Sequence, residues 1–302
     1  MFERILFPTD FSVYANAVTA CLPSLQSVGV KEVILLHVIR ASDVPLPETY
    51  NLESYKYIRW SAEEQLNLLR MVMEGHGLRV RTRIEYGSPV AEIIRAAGEE
   101  HVSMIMIGAQ GTTLAQELMI GSTAFEVIRR SPVPVLLEKA EVVREEGHNR
   151  CRWACAEMFQ RVLYPTDFST SAEEAFKVVE SLYNAGTREV ILLHVQDERV
   201  LKHRTQEQLE AFDLEDRDQL QEYCHQLAGT GFKARFILCR GNPAQETIRV
   251  ADEIKAGLIV IGSQGQSAIR ELLTGSTLES VVRLAKQPVL IVGLLKQEMQ
   301  TN

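Results

Sequence analysis

The sequence predicts an α/β fold made twice: two tandem doubly wound domains, each a parallel sheet with helices on both faces. Short apolar runs alternate with segments of helical periodicity in both halves of the chain, a pattern typical of parallel strands joined by right-handed crossovers. The first half of the 302-residue chain also returns in the second half. A repeat of this length is too long for a solenoid and indicates a duplicated domain. We therefore expect domain 1 at residues 1–140, a linker at 141–158 and domain 2 at 159–302.

Matching segments define the repeat. Pro8-Thr9-Asp10-Phe11-Ser12 returns as Pro165-Thr166-Asp167-Phe168-Ser169, and Glu32–Val38 returns as Glu189–Val195, both 157 residues later (165 minus 8, 189 minus 32). Gly87-Ser88-Pro89 returns as Gly241-Asn242-Pro243, 154 residues later (241 minus 87). The second copy has therefore lost three residues between its second strand and its Gly-x-Pro.

The elements of the first copy follow in order. The predicted strands are Arg4–Phe7, Glu32–Val38, Arg79–Tyr86, Met104–Ile107 and Pro132–Leu137. The third alternates charged and apolar residues, which favours a half-exposed or edge strand. The predicted helices run from Val13 to Val28, capped by Asp10 and Ser12, from Leu52 to Met73, from Pro89, and from Gly121 to Arg129.

A glycine-rich loop follows the fourth strand of each copy. Ile107–Thr123 and Ile261–Thr277 share the spacing Gly-x2-Gly-x9-Gly-Ser-Thr, with Gly108, Gly111, Gly121, Ser122 and Thr123 matching Gly262, Gly265, Gly275, Ser276 and Thr277. Glycine lets backbone approach a ligand closely, and a helix N-terminus attracts anions. We interpret these loops as phosphate cradles; the alternative is that the glycines only permit tight turns.

The glycine loop differs from the common nucleotide motifs. No lysine follows its glycines, as a Walker P-loop requires, and it is not a Gly-x-Gly-x2-Gly dinucleotide turn. Binding would depend on backbone N–H groups and the hydroxyls of Ser122 and Ser276. Hydrogen bonds to charged groups contribute roughly 1.5–3 kcal/mol each, against an association cost of about 4–15 kcal/mol. Micromolar affinity is therefore expected.

Both motifs leave carboxyl ends of strands, where open α/β sheets bind ligands at the topological switch point. Asp10 and Asp167 therefore face the predicted crevice, although each also suits a helix N-cap. His37 and His194 end the second strands. A general base and a hydrogen-bonded core histidine are both compatible with that position. No Ser/His/Asp arrangement and no His/Cys cluster with metal-ligand spacing emerges.

Bulk composition excludes several classes of function. Residues 1–140 carry 13 basic and 16 acidic side chains (net −3) and residues 159–302 carry 16 and 20 (net −4), so no nucleic-acid partner is expected. No apolar run approaches a transmembrane span and no signal peptide is evident, so neither a membrane nor a secretory context is expected. Five cysteines, sparse and odd in number, favour a reducing cytoplasm.

The linker, residues 141–158, matches neither copy. It is interpreted as a charged stretch followed by a helix. On a helix, Cys151 and Cys155 would share one face, and packing of that face on a domain is favoured over metal binding because two ligands make no zinc site.

These features resemble the universal stress protein family, and specifically its tandem, nucleotide-binding members. The resemblance covers both copies and rests on the Pro-Thr-Asp-Phe-Ser turn, the Leu-His-Val strand end, Gly-x-Pro and the glycine loop. It implies a five-stranded parallel sheet of order 3-2-1-4-5. It also implies ATP, with adenine near one set of residues in each copy and phosphates over the glycine loop. The adenine set is Pro8, Thr9, Asp10 and Val38 in copy 1, and Pro165, Thr166, Asp167 and Val195 in copy 2.

Two positions depart from the family pattern. Gln110 and Gln264 stand where the family often has a basic residue or histidine, which leaves less positive charge at the phosphates. Arg270 replaces Gln116, which suggests tighter binding in the second copy.

The last strands, Pro132–Leu137 and Pro288–Leu295, lie at a sheet edge in that strand order, and an exposed apolar edge favours association. The family pairs such strands about a twofold axis. The sequence leaves an intrachain pseudo-dimer and a homodimer open.

Four functions are compatible with a fold of this class. The leading hypothesis is an ATP-binding stress-response regulator whose occupancy biases conformation or binding of a protein partner, with at most slow hydrolysis and with Mg²⁺ or Mn²⁺ carried on the phosphates. The second is an interaction scaffold that binds no nucleotide and assembles through its edge strands. A nucleotidyl transferase is disfavoured because no catalytic lysine or histidine motif accompanies the loops. A phosphoacceptor receiver domain is disfavoured because Asp10 lacks an acidic cluster.

Overall fold

The computed structural model describes residues 2–12, 15, 25–26, 28–43, 52–109, 120–139, 141–145, 148–152, 158–265 and 276–293. The chain divides into two compact units, Met1–Cys155 (unit 1) and Ala156–Asn302 (unit 2). Each unit is an α/β structure in its own right.

Unit 1 contains the predicted alternation of strands and helices. Its elements are β1 (Arg4–Pro8), β2 (Glu32–Ile39), α1 (Leu52–Glu74), β3 (Arg79–Tyr86), α2 (Pro89–Glu99), β4 (Met104–Gly108), α3 (Ser122–Arg130), β5 (Val135–Glu138), β6 (Glu141–Glu145) and β7 (His148–Arg152). A short 3₁₀ turn spans Ala41–Asp43. The predicted helix from Val13 to Val28 lies largely outside the described residues.

Unit 2 repeats the plan. Its elements are β8 (Arg161–Pro165), α4 (Thr170–Ser181), β9 (Glu189–Asp197), α5 (Glu198–Leu201), α6 (Gln206–Thr230), β10 (Lys233–Gly241), α7 (Pro243–Glu253), β11 (Leu258–Gly262), α8 (Ser276–Leu284) and β12 (Val289–Val292). A 3₁₀ turn, Leu182–Ala185, follows α4.

The strand order confirms the predicted fold class. In unit 1 the order is β5-β4-β1-β2-β3, and in unit 2 it is β12-β11-β8-β9-β10. Both are 3-2-1-4-5 when each unit is counted from its own first strand, and every pairing within these two sets is parallel. Since the direction of winding reverses between the first and fourth strands, the switch point lies between β1 and β4, and between β8 and β11.

Apolar side chains of the central strands and of the helix faces form the core of each unit. Ile5, Leu6 and Phe7 of β1 are fully buried, as are Val162, Leu163 and Tyr164 of β8. Helices cover both faces of each sheet, as predicted, and in unit 1 α2 buries Ile93, Ala96 and Ala97 while α3 buries Ala124, Val127 and Ile128. This burial is the main favourable contribution to folding.

The helix predicted for the second part of the linker is wrong for residues 148–152, which form a strand. β6 and β7 pair as an antiparallel hairpin in which Val142 lies opposite Cys151. The physical reason lies in Val142-Val143, since β-branched residues prefer extended backbone. Cys151 therefore lies on a strand, and Cys155 lies outside the described residues. The linker's role between domains 1–140 and 159–302 stays a prediction.

No helix in the described part of the chain is both long enough and apolar enough to cross a membrane.

Candidate functional site

The turn after the first strand has the same geometry in both units. The backbone N–H of Thr9 donates to the carbonyl of Leu36 at 2.8 Å, and that of Thr166 donates to Leu193 at 2.8 Å. Each threonine hydroxyl then accepts a hydrogen bond, at 3.0 Å, from the backbone N–H of the phenylalanine two residues later. Both threonines are buried. The turn is therefore anchored to the neighbouring strand and closed by its own side chain.

A phenylalanine in left-handed backbone conformation shapes this turn. Phe11 has φ of 59° and Phe168 has φ of 57°, which is uncommon for a bulky side chain and persists only where the surroundings enforce it. The Phe11 ring stacks on His37 with centroids 4.3 Å apart, and Phe168 stacks on His194 at 4.7 Å. The strained turn is thus held against the end of the second strand.

In unit 2 the helix that follows the turn is capped by Ser169 and not by Asp167. Asp10 Oδ1 accepts from the N–H of Ser12 at 3.0 Å, and Asp167 Oδ1 accepts from the N–H of Ser169 at 3.1 Å. In unit 2 the cap of α4 is Ser169, whose hydroxyl accepts from the N–H of Ala172. Asp167 therefore orients Ser169, and Ser169 caps the helix. The sequence had predicted that either residue could provide the cap.

The glycine loop leads into a helix in each unit. Gly108 ends β4 and Gly262 ends β11. Gly121 is the N-cap of α3 without a side-chain cap bond, so Ser122 and Thr123 begin that helix, as Ser276 and Thr277 begin α8. The first N–H groups of a helix have no partner within it, which makes both N-termini suitable for an anion.

In unit 2 the turn and the glycine loop meet. The hydroxyl of Ser169 donates to the carbonyl of Gln264 at 3.2 Å, the hydroxyl of Ser171 donates to the same carbonyl, and the N–H of Gln264 donates back to Ser171 Oγ at 3.1 Å. A Cβ placed on Gly265 would lie 2.7 Å from Asp167 Oδ2, and one on Gly262 would lie 2.6 Å from Ser171 Oγ. A side chain at Gly262 would therefore collide with the start of α4, and one at Gly265 would displace the Asp167 carboxylate.

The remaining predicted site residues occupy the same edge of their sheets. Pro8 and Pro165 end the first strands, and Val38 and Val195 lie near the ends of β2 and β9, where both side chains are partly exposed. Gly111 and Gly275 lie outside the described residues, as do Gln110, Gln116 and Arg270, so the expected difference in phosphate affinity stays a prediction.

The two histidines are hydrogen-bonded side chains with different environments. Nδ1 of His37 lies 2.9 Å from the carbonyl oxygen of Thr9, and Nδ1 of His194 lies 2.8 Å from that of Thr166. A carbonyl only accepts, so each Nδ1 carries the hydrogen. Burial lowers the pKa of His37, with the Thr9 carbonyl opposing it. Burial also opposes protonation of His194, yet its hydrogen bond to Asp216, 3.4 Å from Nε2, raises its pKa.

Asp216 belongs to a polar network that sequence reasoning missed. Gln196 donates to Asp216 at 2.7 Å, Arg240 donates to Gln196 at 3.0 Å, and Arg240 also pairs with Asp213 at 2.9 Å. Although burial opposes it, hydrogen bonds from His194 and Gln196 lower the pKa of Asp216. The only sequence signal was three aspartates, 213, 216 and 218, on a helix with otherwise ordinary periodicity.

Unit 1 contains a second group that the sequence analysis missed. Glu138, the last residue of β5, lies in register with Gly108, and its carbonyl accepts from the N–H of Ala109 at 2.8 Å. Its side chain is buried, and neither carboxylate oxygen has a hydrogen-bond partner among the described residues. Burial raises the pKa of Glu138 to about 8.

Comparison with known proteins agrees with this duplicated plan. A family model described as the Universal stress protein family matches residues 1–139 and again residues 158–293. A universal stress protein of Methanocaldococcus jannaschii is 34% identical over 154 residues, which are 45% of this chain and 95% of the relative. One of Mycobacterium bovis is 23% identical over 278 residues, 85% of each chain.

Solved structures agree as well. The crystal structure of a universal stress protein from Archaeoglobus fulgidus superposes with a TM-score of 0.74 at 26% sequence identity and covers 97% of this chain and 99% of its own. Because the family model matches both halves of the chain and relatives align over most of its length, this chain belongs to the universal stress protein family as a tandem member.

Proposed function

We propose that this chain binds ATP in both units and acts as a stress-response regulator, in which nucleotide occupancy biases a conformation or the binding of a protein partner. The proposed contacts are the predicted site residues: the Pro-Thr-Asp turn and the valine of the second strand for adenine, and the glycine loop with its Ser-Thr for phosphates. Residues 1–140 and 159–302 are the proposed nucleotide-binding domains.

One observation carries the proposal: in unit 2 the turn after β8 touches the glycine loop after β11. The contacts of Gln264 with Ser169 and Ser171, and the 2.7 Å from Asp167 to a Cβ on Gly265, join the two motifs at the switch point of the sheet. Ligands in open α/β sheets bind in the crevice at this point. Glycine at 262 and 265 permits this contact, because a side chain at either position would collide with Ser171 or Asp167.

The ligand would be held mainly by main-chain groups. The first N–H groups of α3 and α8 would bind phosphate oxygens, assisted by the hydroxyls of Ser122 and Ser276, which are solvent-exposed. A Mg²⁺ or Mn²⁺ ion would be coordinated mainly by the phosphate oxygens, since such ions often take few protein ligands. Micromolar affinity is expected because few charged side chains take part.

Hydrolysis is proposed to be slow at most. The two histidines closest to the turn each donate one ring nitrogen to a threonine carbonyl. The other ring nitrogen of His194 faces Asp216. Neither arrangement leaves these side chains placed as an evident base for an attacking water.

The first experiment determines occupancy. The full chain is purified without added nucleotide and denatured, and the supernatant is analysed by ion-pair chromatography beside a calorimetric titration with ATP, ADP and AMP. Release of ATP or ADP near one or two equivalents, or micromolar binding of ATP, would support the proposal. A protein that releases no nucleotide on denaturation and binds none of the three in the titration would contradict it.

The second experiment tests the helix N-termini with matched variants. Ser122→Glu and Ser276→Glu place a negative charge in the first turn of α3 or α8, where a carboxylate stabilises the helix by roughly 0.3–1 kcal/mol but repels phosphate. Each single variant is expected to lose one equivalent of ATP binding while folding normally. Ala91→Glu is the control, because Ala91 is exposed in the first turn of α2. This helix follows β3, the last strand in the order of unit 1, and does not follow the glycine loop. Unchanged stoichiometry in the double variant would overturn the phosphate assignment.

The second candidate function is a scaffold that binds no nucleotide. Edge association of apolar strands favours it, and β5 and β12 are fully apolar except for Glu138. Failure of both nucleotide experiments in a folded protein would select it.

A further inference from the structure

The long helix of unit 1 carries a second apolar face that points to solvent. Five large side chains of α1 are more than half exposed: Tyr57 (65%), Trp60 (55%), Leu68 (63%), Met71 (65%) and Val72 (58%). At 100° per residue they lie on one side of the helix, opposite the side that buries Ala62, Leu66 and Met73. We call this surface the α1 face.

The α1 face is large for a monomer surface. From Tyr57 to Val72 it extends about 22 Å, or roughly four turns. The rings of Tyr57 and Trp60 pack against each other with centroids 5.7 Å apart. The exposed fractions of the five side chains correspond to an apolar area on the order of 500 Å². Monomeric proteins rarely expose contiguous patches larger than a few hundred Å², so this composition favours an interface.

Unit 2 provides an internal comparison. Leu220 and Leu227 of α6 are buried as Leu66 and Met73 of α1 are, 154 residues earlier (220 minus 66, 227 minus 73), so the two helices have the same register. The positions in α6 that match the α1 face are Ala211, Leu214, Glu222, His225 and Gln226. The fold therefore does not require an apolar surface at this place, and the α1 face has a role peculiar to unit 1.

We propose that the α1 face binds the α1 face of a second copy of this chain, with the two helices antiparallel about a twofold axis near Glu64. Such an isologous contact needs only one patch, and twofold dimers are the commonest oligomers. About this axis Tyr57 meets Val72 of the other copy, and Trp60 meets Leu68. With the polar rim added, each copy would bury close to the roughly 800 Å² that a standard interface needs per partner.

The charges at the rim fit this pairing. Lys56 and Glu74 lie at opposite ends of α1 and, 18 residues or five turns apart, on the same flank. In the antiparallel pair, Lys56 of each copy therefore lies beside Glu74 of the other. A parallel pair would instead leave Lys56 about 27 Å along the helix axis from Glu74 of the other copy, so this ion pair could not form.

Glu64 affects the strength of the proposed dimer. It is exposed in the middle of the α1 face, and the twofold axis places it beside Glu64 of the other copy. This like-charge contact weakens the dimer at neutral pH, and replacing the carboxylate by an amide removes the repulsion without changing its size. The proposed dimer thus predicts that Glu64→Gln strengthens association, whereas loss of Trp60 abolishes it.

The test measures dimerisation of the full chain by sedimentation velocity over a hundredfold range of concentration. Trp60→Glu is expected to weaken association at least about tenfold, since buried tryptophan dominates such interfaces, and Glu64→Gln to strengthen it. The matched controls are Leu214→Glu and Asp218→Asn, the same positions in α6, which should leave association unchanged. Circular dichroism verifies folding of each variant.

Three outcomes would overturn the proposal. The first is a wild-type chain that remains monomeric throughout the concentration range. The second is a dimer that survives Trp60→Glu or is weakened by Glu64→Gln. The third is detected in a Trp153→Phe background, where Trp60 is the only tryptophan: a concentration-independent, blue-shifted emission would mean that the chain covers this face itself.

Discussion

His37 and His194 occupy the same position in the two units and have opposite protonation preferences. Each donates Nδ1–H to a threonine carbonyl and stacks on a phenylalanine, so the backbone and the first contacts are alike. The pKa of His37 is lowered by burial, whereas that of His194 is raised against burial by its hydrogen bond to Asp216. One side chain on a different element therefore reverses the direction of the histidine pKa shift beside the turn.

The difference arises at three matching positions, one on the long helix and two on neighbouring strands. By the register of α1 and α6, Asp216 takes the place of Ala62 (216 minus 154), a buried alanine. The bridging Gln196 replaces the buried Ile39 (196 minus 157), and Arg240 replaces Tyr86 (240 minus 154). The two copies therefore share the turn but differ at these three positions, and only unit 2 has the hydrogen-bonded network of Asp216, Gln196 and Arg240.

These pKa directions give opposite effects of pH. For His194, with its pKa raised, the stabilisation is complete below about pH 6.5 and is lost as pH rises through the folded-state pKa. For Asp216, with its pKa lowered, the stabilisation is present above about pH 3.8 and is lost as pH falls through the folded-state pKa. For His37, with its pKa lowered, acidification below about pH 6.5 destabilises the folded state instead.

A second difference between the units lies at the end of the fifth strand. Glu138 ends β5, and Val292 holds the matching place at the end of β12 (292 minus 138 is 154). The pKa of Glu138 is raised to about 8, so between pH 4.5 and pH 8 the folded state holds a proton that the unfolded state has lost. Stability therefore falls as pH rises through this window.

The largest predicted effect comes from Glu138→Val, which makes unit 1 resemble unit 2. The wild-type chain is expected to lose unfolding free energy between pH 5 and pH 8 at up to about 1.4 kcal/mol per pH unit, on the order of a few kcal/mol in total. The variant should lack this decline. Denaturant unfolding at both pH values measures it, with hydrogen exchange of β4 and β5 assigning the loss to unit 1. Glu215→Gln, at an exposed carboxylate, is the control; an unchanged pH profile in Glu138→Val would refute the assignment.

The next effect comes from Asp216→Ala, which gives His194 the surroundings of His37. Removing the acceptor from a buried network should destabilise unit 2 by about 1–3 kcal/mol at pH 6, and the pKa of His194 should fall below about 6.5. Histidine NMR titration and denaturant unfolding check both values. Asp218→Ala, exposed on the same helix, should change neither, and a His194 pKa that stays raised without Asp216 would show another cause.

The smallest effect comes from Gln196→Ile, which copies Ile39 into unit 2. It removes hydrogen bonds to Asp216 and Arg240, so unit 2 should lose about 0.5–1.5 kcal/mol. The His194 pKa should stay raised because Asp216 remains. Comparing the His194 pKa in Gln196→Ile and in Asp216→Ala separates the effect of the carboxylate from that of the rest of the network. If the pKa falls equally far in both variants, Gln196 is required to orient Asp216.

Much of the fold was predictable because it depends on local patterns. Arg79–Tyr86 and Pro89–Glu99 begin or end where alternation and Pro89 indicated, and resemblance to the family supplied the strand order. The hairpin at 141–152 was missed because the linker was interpreted as a charged stretch followed by a helix, whereas the structure pairs its two halves as strands. The capping role of Ser169 was only partly foreseen, since Asp167 and Ser169 are both good caps and their geometry decides between them.

Local sequence patterns are sufficient to predict the duplication, the α/β class, and the positions of the turn and the glycine loop at the carboxyl ends of strands. These follow from residue order, because periodicity, glycine and proline act over a few neighbours. The raised pKa of His194, the burial of Glu138 and the exposure of Trp60 follow from tertiary contacts alone. Each depends on which distant side chain or solvent lies beside the group, and His194 meets Asp216 across 22 residues (216 minus 194) and two different elements.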